Sequence, residues 1–264
     1  MLDELVSSLL YEGYALYPYT PGAIKNATPT PFGIVYPPAY AAQCDGAFDH
    51  ARLECVAEPG AGARLAATLR YLEPQGERHA ALERTVELAD VPLGERHTAE
   101  FEQGRFTVRS ELGDGGRARV RCCVHNTAQV AQGLGRVAAL AHSLISTHIV
   151  VRLTAGRFIS PLESGAESVN IWPVLATPQD DAVLGAAIVL PDHPQIAPES
   201  RGNLFDNTEI EEALVLHVHA LSDGEREQAA QQDPAVRAML ERALASTPAE
   251  IMSLHGGLKD VSGG

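Results

Sequence analysis

The stretch RFTVRSELGDGGRARVRCCVHN, residues 105–126, decides the fold. Two runs of strand composition flank Gly113-Asp114-Gly115-Gly116, a turn whose glycines supply the positive φ that a tight hairpin demands. In the second run Ala118, Val120, Cys122 and Val124 form one apolar face, which leaves Cys123 on the other beside Arg119, Arg121 and His125. An antiparallel pair is the reading. Outward from it lie further short runs of the same kind, ARLECVA from Ala51, RLAATLRYL from Arg64 and RTVELADV from Arg84, separated by EPGAGA and EPQGERH. Later candidates are Thr147 to Leu153, Val169 to Leu175, Val183 to Leu190 and Ala213 to Leu221. About nine strands at this spacing predict an antiparallel β-sandwich, mainly β with α additions. Between them GLGRVAALAHSLIS reads as a helix.

The flanks differ. Leu2, Leu5, Val6, Leu9 and Leu10 fall on one stripe, with Asp3 and Glu4 where a helix N-terminus prefers acids, so a short amphipathic helix opens the chain. From Tyr14 to Tyr40 the sequence holds six prolines and five tyrosines. Each proline lacks an amide hydrogen and biases its predecessor to extended geometry, which predicts an extended arm rather than a helix. Tyr14, Tyr17, Tyr19, Phe32, Tyr36 and Tyr40 would anchor it, and Tyr17, Tyr19 and Lys25 are candidate partner contacts. After Leu221 come capping signals at Ser222/Glu225, Asp233-Pro234 and Thr247-Pro248, which predict three short helices. The expected organisation is residues 1–40 as helix and arm, 41–222 as sandwich, and 223–264 as helical tail.

Composition narrows the function. A chain of 264 residues with 45% hydrophobic but 5% aromatic residues builds its core from Ala, Val, Leu and Ile. The formal charge of −14 argues against nucleic acid and anionic lipid as partners. No apolar run has the ~20 residues of a membrane helix. Met1 to Tyr14 carries acids where a signal peptide would carry Lys or Arg, so a cytoplasmic protein is expected. Cys44, Cys55, Cys122 and Cys123 show no CxxC pairing and are expected as free thiols, and no cofactor is indicated.

Three places could hold chemistry. His217 and His219 share one strand face, a metal-ligand spacing that Asp192, His193 or His125 would have to complete. The alternative is a half-buried strand with hydrogen-bonded imidazoles. Cys123 lies among cations that would favour a thiolate if the face is exposed. The segment Pro191 to Leu221 presents Glu199, Asp206 and Glu209 behind three prolines, as a rigid acidic surface for basic groups of a partner or as a capped turn.

Several segments resemble a family of uncharacterised bacterial proteins associated with gene clusters for high-affinity, oxygen-tolerant nickel–iron uptake hydrogenases. They are YEGYALYPYTPGAIKNATPTPFGIVYPPAY, STHIVVRLTAGRFISPLE, NIWPVLATPQDDAVLGAAIVLPDHPQ with the residues up to Glu227, and MSLHGGL. The resemblance implies an accessory role in hydrogenase assembly or maturation by binding a subunit or maturation factor. A metal- or thiol-dependent protein using His217, His219 and Cys123, and a structural subunit of a larger complex, are the other readings.

Overall fold

In the computed structural model, residues 2–11, 33–75, 80–195 and 241 are described. All of these except Glu241 belong to one compact unit. The expectations for Tyr14, Tyr17, Tyr19, Lys25, Phe32, Glu199, Asp206, Glu209, His217, His219, the strand at Ala213 to Leu221 and the C-terminal helices lie outside the described residues.

Among the described residues, ten strands form two antiparallel sheets. They are β1 (His50–Pro59), β2 (Arg64–Gln75), β3 (Ala80–Pro92), β4 (Arg96–Phe101), β5 (Gly104–Leu112), β6 (Ala118–Asn126), β7 (Ile145–Leu153), β8 (Gly156–Ile159), β9 (Trp172–Leu175) and β10 (Ala182–Ala186). One sheet runs β4-β5-β6-β1-β8 and the other β3-β2-β7-β10-β9. The hairpin that opened the reading is β5 and β6, paired from Gly104↔Asn126 to Leu112↔Ala118. Its turn takes positive φ at Gly115 (75°) and Gly116 (77°), as the glycine run predicts.

Alternation sets the layers. Leu53, Cys55 and Ala57 of β1, Phe106 and Val108 of β5, and Val120, Cys122 and Val124 of β6 turn inward. They meet Leu65, Ala67 and Leu69 of β2, Ile149 and Val151 of β7, and Val183 of β10 in a single core. Phe106 and Phe158 are the largest of its wholly buried side chains, and small residues fill the remainder, as the composition predicts. Cys55 and Cys122 belong to this core with no exposed surface, and all four cysteines are free thiols.

The second sheet is covered on its outer face too. The helix α1 (Leu2–Tyr11) buries Leu2, Leu5, Val6, Leu9 and Leu10, and it packs against β7 and β2. Arg70 on that face donates to the Asp3 carbonyl (3.0 Å) and to Ser7 Oγ (2.7 Å), while Ser146 Oγ donates to the Leu9 carbonyl (3.3 Å). This double burial explains why β7 is buried at every position but Arg152, its polar Ser146, Thr147 and His148 included. His148 of β7 is buried in the row paired with Arg70; its Nδ1 donates to the Ser146 carbonyl (2.7 Å), and its Nε2 has no hydrogen-bond partner.

Two connections cross between the sheets side by side. The β1–β2 turn and the β7–β8 turn are joined by Gly60 N–H to the Ala155 carbonyl (3.0 Å) and Thr154 N–H to the Arg64 carbonyl (3.0 Å). Gly156 sits where they touch, at φ 103°.

Other expectations need correction. Within the arm, Pro38–Ala41 forms a four-residue helix, α2, because Pro38 occupies a first-turn position where its missing N–H costs nothing. Tyr36 and Tyr40 anchor this part, both buried, with ring centroids 4.8 Å apart. The helix expected across GLGRVAALAHSLIS shrinks to α3 (Arg136–Leu140), and α4 (Pro161–Ser164) has its N-cap on Ser160. The strand expected from Val183 to Leu190 ends at Ala186, and that from Val169 to Leu175 begins at Trp172, with Val169 making an isolated bridge to Arg52. Among the described residues, no helix is long and apolar enough to cross a membrane.

Candidate functional site

The outward face of the β4-β5-β6-β1-β8 sheet gathers arginines that are far apart in sequence. Cross-strand register places Arg96 opposite Arg109 and Arg109 opposite Arg121. Four residues along, Arg105 faces His125, which faces His50, and between these rows Thr107 faces Cys123, which faces Arg52. The side chains of His50, Arg52, Arg96, Arg105, Thr107, Arg109, Arg121, Cys123 and His125 enclose a pocket of about 260 Å³.

The balance of charge there is uneven. Glu54, 2% exposed, lies in the row of Arg121 and is held by Arg119 and by Arg121, whose Nε donates at 2.8 Å. Burial opposes its charge, but hydrogen bonds from the two guanidiniums outweigh that and keep the carboxyl below its ordinary range. Arg109 and Arg105 have only looser acidic neighbours, Glu111 at 3.6 Å and Glu100 at 4.0 Å. Among the described residues, no carboxylate lines the pocket. Arg52 and Arg96 have no carboxylate partner among the described residues, and Arg52 Nε is buried without a hydrogen bond.

Replacing Glu54 with glutamine strands two guanidiniums on this face. The expected loss is about 2 kcal/mol, below the range for a wholly buried pair because Arg119 and Arg121 remain partly in water. Urea unfolding at pH 7 measures it. Because the carboxyl titrates low, the same stabilisation in the native protein is present above pH 4.5 and fades as pH falls through the depressed folded value, so the difference between the two proteins should shrink in acid.

At Cys123 burial works against the thiolate that its cations would favour on an exposed face. Burial pushes its thiol up to about 11, and the nearby Arg52 and Arg121 charges only partly offset this. Its Sγ lies 3.2 Å from His125 Nε2. That imidazole is itself held below its ordinary value, by burial and then by the neighbouring His50, whose ring stacks on it at 5.2 Å. A depressed base beside an elevated thiol leaves both neutral at pH 7, so the pair is not primed for nucleophilic attack.

Asp192 and His193 do not meet His125; they brace the β9–β10 connection. Asp192 accepts from Leu175 N–H (2.8 Å) and Ser160 Oγ (2.5 Å), and His193 Nε2 pairs with Asp180 Oδ1 (2.8 Å). Among the described residues, no group of three or more His, Cys, Asp or Glu side chains is arranged to hold a metal ion.

A second concavity, of about 780 Å³, adjoins the first through Arg52 and is lined by apolar groups including Phe48, Leu162, Ile171, Trp172, Pro173 and Val189. Leu162, Trp172 and Val189 are 72%, 56% and 71% exposed, which is unusual for large apolar side chains set side by side. The strand pattern around Trp172 carried no hint of this.

No protein-family model matches the sequence, and no curated protein matches it. Among solved structures, the CspB protease of Clostridium perfringens is similar at 8% identity and a TM-score of 0.17, over 58% of this chain and 27% of that one. The match thus spans about a quarter of that protease, and a likeness at this level carries no argument about fold or activity.

Proposed function

We propose that the protein acts by binding another protein, and that it serves in the cytoplasm as an accessory factor for assembly or maturation of a nickel–iron hydrogenase. The observation that supports binding is the groove around Trp172. Clustered exposed apolar side chains mark contact surfaces, and a tryptophan flanked by aliphatic residues and proline is the usual anchor of one. The sequence resemblance supports the choice of partner. In this reading Tyr17, Tyr19, Lys25, Glu199, Asp206 and Glu209 also contact the partner.

The test is co-expression of the tagged protein with the hydrogenase large and small subunits and maturation factors, followed by affinity measurement on the complex recovered. Trp172→Ala combined with Leu162→Ser is expected to weaken binding at least tenfold with an unchanged melting temperature, since both side chains are more than half exposed. Failure of any of these partners to co-purify, or unaltered affinity of the double variant, would sink the reading. Native mass of the complex distinguishes a transient factor from a permanent subunit.

A further inference from the structure

The outward face of the β4-β5-β6-β1-β8 sheet holds five guanidiniums around one pocket in a chain whose formal charge is −14. Random placement of 20 basic residues on an acidic surface would disperse them. Like charges in one pocket repel; Glu54, Glu111 and Glu100 answer part of this charge from outside the pocket, and the rest is left to solvent unless an anion screens it. We infer that this pocket is a binding site for a small, multiply charged oxyanion, of the phosphate or polycarboxylate class.

Three observations converge on that chemistry. The first is geometry: Arg96, Arg109 and Arg121 lie abreast on adjacent strands, so their Cα atoms span about 10 Å, a spacing over which planar guanidinium forks close on one polyanion from several sides. The second is unmet bonding. Among the described residues Arg52 and Arg96 have no carboxylate partner, so an anion in the pocket would supply the counter-charge and acceptors that their guanidiniums lack. The third is size. At about 260 Å³ the pocket is below the usual range for drug-sized ligands but ample for a phosphate, pyrophosphate or tricarboxylate.

Arginine rather than lysine suits this task, because its fork pairs bidentately with phosphoryl and carboxylate oxygens. Thr107, whose hydroxyl is 3.1 Å from that of Thr98, adds a neutral polar group to the wall. Glu54 engages Arg121 from the pocket's margin and so fixes one guanidinium in place. The inference is independent of the proposed protein partner, and it survives or fails without it.

The experiment is calorimetric titration of the full chain with phosphate, pyrophosphate and citrate, each at fixed ionic strength, with chloride as the reference. Saturable one-to-one binding of at least one probe is expected, and the tighter of pyrophosphate and citrate assigns the phosphoryl or the polycarboxylate class. Arg96→Gln combined with Arg109→Gln should weaken that binding at least tenfold. Arg157→Gln, on the same sheet but paired with Glu58 at 2.9 Å, should leave it unchanged. As a check needing no variant, the bound probe should protect Arg52, Arg96 and Arg109 of the native protein from phenylglyoxal, read by peptide mass. Binding no stronger than chloride for every probe, or binding and protection that do not involve these arginines, would overturn the inference.

Discussion

Replacing Gly156 with alanine is expected to lower the stability of the protein by about 4 kcal/mol, a large part of what holds a domain folded. Two costs combine. At φ 103° an L-residue is strained by about 1–3 kcal/mol whatever the space around it. The space is also lacking, since the added methyl carbon would lie 2.3 Å from the Glu58 carbonyl oxygen, 2.7 Å from Gly60 N and 2.8 Å from Pro59 Cα. These are main-chain atoms of β1 and its turn, so no side chain can swing aside, and the backbone shift costs about another 1–3 kcal/mol. Gly62 is the control: its φ is 70°, but nothing lies within 4 Å of an added methyl, so Gly62→Ala should cost about 1 kcal/mol. Urea denaturation of both variants measures the difference. If the two lose the same stability, the close approach of the crossing turns is not what Gly156 serves.

Mild acid should destabilise the protein before its carboxylates are neutralised, and His148 is the cause. Burial lowers this imidazole to about 4 from 6.5; the bond to the Ser146 carbonyl opposes the shift, and Arg70 adds to it. A base depressed in the folded state is protonated more readily when the chain unfolds. The associated stability is therefore complete above pH 6.5 and is lost as pH falls from there towards 4, by about 3 kcal/mol in all. His125 is also depressed and acts in the same direction, so the comparison must be made against a variant. His148→Leu removes both the titration and the unpartnered Nε2, and its stability between pH 6.5 and 4 should fall less steeply than that of the native protein. Urea midpoints at pH 7, 5.5 and 4.5 for the two proteins decide it, and parallel profiles would contradict the assignment.

The sandwich was legible wherever one face of a strand is buried and the other wet. Ala118 to Val124 alternates cleanly, and its faces could be assigned before any pairing was known. β4 escaped because it is an edge strand, with His97, Ala99 and Phe101 only half buried, so its sequence has little contrast. β8 escaped because four residues beginning at a glycine are too few to show a period. The arginine pocket was half visible. Arg119, Arg121, Cys123 and His125 could be placed on one face from their spacing, but Arg52, Arg96, Arg105 and Arg109 join them only through register across neighbouring strands. Net charge concealed the rest, since an average over the chain is silent about a local reversal of sign. At Cys123 the sequence revealed the cations that favour a thiolate but not the desolvation that opposes it, and at this thiol desolvation is the larger effect.

Cys55 and Cys122 give the protein an internal clock. Both sit between the sheets with no exposed surface, and burial pushes both thiols far above their ordinary range. A labelling reagent can reach them only when the sheets part, so their rate of modification counts separations of the two layers rather than surface chemistry. When labelling is slow compared with reclosing, that rate reports the equilibrium between closed and parted sheets; when it is fast, it reports how often they part. The same two sulfur atoms can thus read both the depth and the frequency of opening in the unaltered chain.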